Sequence, residues 1–84
     1  MITRQRTQTG VRLESSLLKV LKGLAEYKDL SLSDLLEGIL LHALENKPAF
    51  ADDTLAAIAQ LKRIYGCDLD STHAHRIADG QAGS

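Results

Sequence analysis

Gln8, Gly10 and Arg12 occupy every second position of "QTGVRLESS", and a two-residue period puts them on one side of an extended chain. Thr9, Val11 and Leu13 take the other side. A side carrying Gln and Arg is built to meet something polar. Six basic side chains (Arg4, Arg6, Arg12, Lys19, Lys22 and Lys28) stand against Glu14 and Glu26 in residues 1–28, a balance of +4. Residues 29–84 hold four basic and nine acidic side chains, a balance of −5. The overall charge of −1 therefore hides a basic N-terminal segment with local attraction for a polyanion.

The other residues with chemical potential lead to less. Cys67, His73 and His75 have a C-x5-H-x-H spacing that matches no common structural zinc pattern, and no second cysteine pair completes it. His42 sits among apolar neighbours and reads as a packed or interface histidine. No nucleophile–base pair, glycine-rich phosphate loop or convergent carboxylate pair stands out, so the expectation is no enzyme, no metal and no cofactor.

The elements that must position these residues begin with the arm, residues 1–6, read as flexible and basic. A strand is expected over about Thr7 to Leu13. A helix follows, capped by Ser15 or by Glu14 and Ser15 together, and runs to about Lys28. Its Leu17, Leu18, Leu21, Leu24 and Ala25 recur at three- and four-residue steps, one apolar stripe. "KDLSLSDLLEG" ends that helix and starts another. Asp29 can take the left-handed conformation of a helix end, and Ser31 and Ser33 are both good N-caps. The second helix, about Leu32 to Glu45, carries Leu32, Leu35, Leu36, Ile39, Leu40, Ala43 and Leu44. That face is too wide for one neighbour and implies burial by the first helix and by another copy of the chain. A third helix is expected from about Asp53 to Tyr65, capped by Asp52 or Asp53 and stopped by Gly66.

An 84-residue chain with a single cysteine has a marginal core and no internal disulfide. Oligomerisation is the economical remaining source of burial. No apolar run approaches eighteen residues and no basic-then-apolar leader is visible, so the expectation is a cytoplasmic protein without a membrane segment. A lone strand leaves its backbone groups unpaired. The joint solution is a homodimer in which two strands pair antiparallel above four helices, with Val11, Leu13, Leu21, Leu35, Leu36, Ile39 and Leu40 in the shared core.

"QTGVRLESSLLKVLKGLAEYKDLSLSDLLEGILLHALE" resembles the ribbon-helix-helix DNA-binding proteins, the group of the Arc, MetJ and CopG repressors. The resemblance covers about residues 6–47. It rests on the alternating segment ending in Leu13, the helix after it and the serine-flanked start of the next. It implies a mainly α fold: an intertwined homodimer with a two-stranded antiparallel intermolecular β-ribbon, plus an additional C-terminal helix. The division expected is a basic arm (1–6), a DNA-binding and dimerisation domain (7–47), a C-terminal helix (48–66) and a partly disordered tail (67–84).

The function implied is a repressor that inserts its ribbon into the major groove of a palindromic operator in double-stranded DNA. Gln8, Gly10 and Arg12 then face the bases, Arg12 onto guanine and Gln8 onto adenine. Arg4, Arg6, Ser31 and Ser33 face phosphates. Gly10 departs from the family in leaving the central reading position bare, and Thr9 stands where a bulky aliphatic is usual. A second expectation is an antitoxin that represses its own operon and binds a toxin through residues 49–84. A helix-turn-helix reader is disfavoured, because the second helix carries Asp34, Glu37 and Glu45 and no Arg or Lys before Lys47.

Overall fold

A computed structural model describes residues 2–80. Three helices of 13 residues each follow one another: α1 (Ser15–Tyr27), α2 (Leu32–Leu44) and α3 (Asp52–Ile64). A single 3₁₀ turn spans Ser71–His73. Tail residues 81–84 lie outside the described residues.

The expected β-ribbon is absent. Among the described residues there is no strand, and residues 2–13 form no regular element and no backbone–backbone hydrogen bond. The fold is all-helical, and the ribbon-helix-helix architecture is corrected accordingly. Alternation makes a segment fit to be a strand, but a strand exists only where a second one completes its ladder. No other part of the described residues supplies an edge. Thr7, Thr9 and Gly10 also add little apolar area, so Val11 stays 73% exposed and the backbone is left to water.

The helices themselves are explained locally. The Glu14 carboxylate caps α1, accepting from the Leu17 amide at 2.9 Å and from the Ser16 hydroxyl. Those hydrogen bonds, Ser16 first, hold the Glu14 carboxyl below the usual carboxylate range. The Ser31 hydroxyl caps α2 by accepting from the Asp34 amide at 3.1 Å. At α3 the cap position is Ala51, without a side-chain bond, and Asp52 and Asp53 instead lie in the first turn, where they complement the helix dipole.

All three helices stop the same way. A residue with φ near +60° follows each one: Asp29, Asn46 and Gly66. Its amide bonds back across the last turn, and the next amide reaches the carbonyl five residues earlier, as in Leu30 to Ala25, Lys47 to His42 and Cys67 to Lys62, at 2.8–2.9 Å. This double closure satisfies carbonyls that would otherwise be orphaned at each helix end.

Helix α1 is the central element and packs on both α2 and α3. Leu24 and Ala25 meet Leu35 of α2, with Ile39, Phe50, Ile58 and Leu61 closing around them. Gly23 permits the approach of α3: a Cβ there would stand 3.0 Å from a Leu61 methyl and 3.3 Å from the Tyr65 ring. After Gly66 the chain folds back, burying Cys67 as a free thiol and laying Leu69, Ala74 and Ile77 along an apolar groove of about 390 Å³ beside α1 and α3. Of the residues expected to form a shared dimer core, Leu35 is buried within the single chain. Leu21, Leu36 and Ile39 are half-buried, and Val11, Leu13 and Leu40 are exposed.

The helix-end geometry yields a stability test. Gly66→Ala adds no clash, since nothing lies within 4 Å of its Cβ position, but it forces an L-residue into the left-handed region. The expected cost is about 1 kcal/mol. Gly10→Ala, in open space without positive φ, should change urea unfolding by no more than a few tenths of that.

Candidate nucleic-acid interface

Residues 2–13 form an arm with every side chain exposed, and the structure shows where its charges go. The Arg6 guanidinium forks onto the Glu37 carboxylate, Nε donating to Oε2 at 3.1 Å and Nη2 to Oε1 at 2.5 Å. The same Nη2 donates to the Asp34 carboxylate. Asp34 and Glu37 stand three residues apart on α2 and so share one helix face. Their hydrogen bonds, Glu37 first, hold the Arg6 proton above the ordinary arginine range. In return Arg6, with help from the Ser31 cap, holds the Asp34 carboxyl below its ordinary value. Bidentate charge-assisted pairs of this kind have directional strength that a loose ion pair lacks.

Arg12 is held from the other end of the chain. Its Nη1 lies 3.1 Å from Asp79 Oδ2, with both side chains about three-quarters exposed or more. Arg4 forms no ion pair among the described residues. Gln8 and Gly10 lie between the two anchored arginines, in the open.

Ser31 and Ser33 stand at the start of α2, both exposed. The Ser31 hydroxyl already accepts one bond in the cap, so what it can still offer an anion is its O–H donor. The positive end of the helix and its free amides suit an anion, yet Asp34 and Glu37 oppose one. Arg6 neutralises much of that opposition. Arm, serines and carboxylates therefore form one electrostatic unit.

Around it lies a groove of about 920 Å³ between residues 2–6 and α2, walled by Leu40, Leu41 and Leu44. These three leucines are 57%, 67% and 84% exposed. The other candidate chemistry does not assemble: among the described residues no group of three His, Cys, Asp or Glu could hold a metal ion. His73 instead completes a reciprocal cap with Asp70, and the His42 Nδ1 lies 2.7 Å from the Gly38 carbonyl. No helix of the described residues is long and apolar enough to cross a membrane.

The roles of Asp34, Glu37 and Asp79 as partners of the arm arginines escaped the sequence reading. Asp34 and Glu37 were legible as an i, i+3 acidic pair at a helix start, but that pattern is equally explained by the helix dipole. Asp79, in a polar stretch, carries no local signal.

The Arg6 fork sets a pH window. Asp34 has a depressed carboxyl pKa, so its attachment to the arm is complete above the ordinary aspartate range, near pH 4, and is lost as pH falls through the lower folded value. Arg6→Gln should raise the Asp34 carboxyl toward that ordinary range in an NMR titration, with the Ser31 contribution remaining, and loosen residues 2–6. An unchanged Asp34 titration in this variant would show that the fork does not form in solution.

No family model, no curated protein and no solved structure matches this chain.

Proposed function

We propose that this protein is a homodimeric, DNA-binding transcriptional regulator that contacts duplex DNA through its N-terminal arm and represses by occupying its operator. One observation carries the reading: an exposed arm, unpaired along its backbone, presents Arg4, Arg6 and Arg12 beside Gln8. Fully extended, residues 2–13 reach about 40 Å, slightly more than one turn of the duplex at about 34 Å. A single extended chain is narrow enough for the major groove. There the Arg12 fork matches O6 and N7 of guanine, and the Gln8 carboxamide matches adenine. Arg4 and Arg6 supply phosphate contacts that position the arm without reading sequence.

Ser31 and Ser33 offer a hydroxyl and helix-end amides to a phosphate on the flank. A second copy covering Leu40, Leu41 and Leu44 of α2 would bury the apolar face that one chain leaves open, and its twofold axis would pair two arms over a palindromic site. The single cysteine suits a reducing cytoplasm.

Selection of bound sequences from a random duplex pool, followed by anisotropy titrations at several salt concentrations, tests this. Arg4→Ala should weaken binding to all duplexes alike and flatten the salt slope by about 0.9. Arg12→Ala should reduce preference for the selected site about tenfold or more. Failure to bind any duplex at about 50 mM salt, or an unchanged preference after Arg12→Ala, overturns the reading.

A further inference from the structure

Arg6 and Arg12 have carboxylate partners within their own chain, and those partners take up nitrogens that a phosphate or a guanine would use. We propose that α2 is an autoinhibitory dock for the arm: Asp34 and Glu37 hold Arg6 against the helix, and DNA binding requires that hold to be released. This rests on the DNA-binding reading above.

The geometry sets the two states in competition. Arg6 spends Nε and Nη2 on Glu37 and Asp34, leaving only Nη1 for another acceptor. The fork also fixes the arm's direction. Residues 2–6 form one wall of the groove whose other wall is α2, with Leu40, Leu41 and Leu44 still largely exposed. An arm in that position cannot extend into a DNA groove. At the other end, the Asp79 carboxylate sits at 3.1 Å on Arg12, the residue assigned to base reading. Three carboxylates thus stand where phosphates and a base edge would stand.

The contacts are exposed, so the dock is shallow and opens readily. Its effect is a reduction of apparent affinity by the fraction of chains with the arm released. A closed fraction of about two-thirds to nine-tenths would weaken DNA binding by about three- to tenfold.

The experiment compares two variants of equal charge change. D34N with E37Q removes the dock; E26Q with E45Q removes two carboxylates that do not touch the arm. For each, duplex affinity is measured by anisotropy and the order of residues 4–8 by heteronuclear NOE without DNA. The expected result is an affinity gain about threefold or more larger in the dock variant than in the control, with arm order lost only in the dock variant. Equal gains in both would assign the effect to net charge and overturn the proposal, as would an arm equally ordered in both. If no form of the protein binds any duplex while the arm loosens only in the dock variant, the arm contact stands, the DNA-binding reading fails, and autoinhibition falls with it.

Discussion

Among the described residues, Leu24 is the one large side chain sealed completely from water, at 1% exposure. It can be sealed because α1 runs between α2 and α3, with Gly23 letting α3 close down beside it. The rest of the architecture follows from how little else can be enclosed. Thirteen-residue helices of about 20 Å surround a small volume, and each can present only one stripe to it. Leu35 and Ala25 complete the fully buried apolar cluster with Leu24. The remaining leucines of α2, Leu40, Leu41 and Leu44, fall outside the circle. None of residues 2–13 enters this core; they run along its outside with every side chain exposed.

The helices were legible in the sequence because helix formation is largely a one-segment property. The stripe of Leu17, Leu21 and Leu24, the Ser31 cap and the break at Asp29 each act within a few residues of themselves. The same locality explains the common ending at Asp29, Asn46 and Gly66. Three different residues adopt one left-handed conformation because the hydrogen-bond closure demands it, and only the glycine does so without steric cost. Details one residue wide were not legible. Asp52 and Asp53 both look like caps for α3, yet the cap position falls on Ala51 and the aspartates serve the first turn.

The strand was misread for the opposite reason. Pairing is a two-body property, and the alternation of Thr9, Val11 and Leu13 says nothing about whether a partner exists. The segment after Gly66 illustrates the same limit. It shows no periodicity, yet Cys67 is buried and Leu69 lies over the groove beside α1, placed there by the turn at Gly66 rather than by any pattern of its own. Contacts such as Arg12 with Asp79 join positions separated by most of the chain. Nothing local to either residue specifies them.

Charge links these two kinds of information. The chain's net charge of −1 conceals a basic N-terminal part and an acidic remainder, and the fold brings the two together. A flexible basic arm tethered to an acidic body is held at high effective concentration near its carboxylates, so even weak exposed pairs become populated. Arg6 finds the best geometry available, two carboxylates three residues apart on one helix face, and Arg12 finds a single one. The residue assigned to phosphates is the more firmly held, while the residue assigned to a base has only one solvated contact to give up. In the proposed DNA-binding mode, capture begins at Arg4 and Arg12, whose charges are the more available, and Arg6 transfers last. The charge asymmetry visible in the sequence is therefore less a permanent attractive patch than a set of cations partly engaged by the protein's own carboxylates.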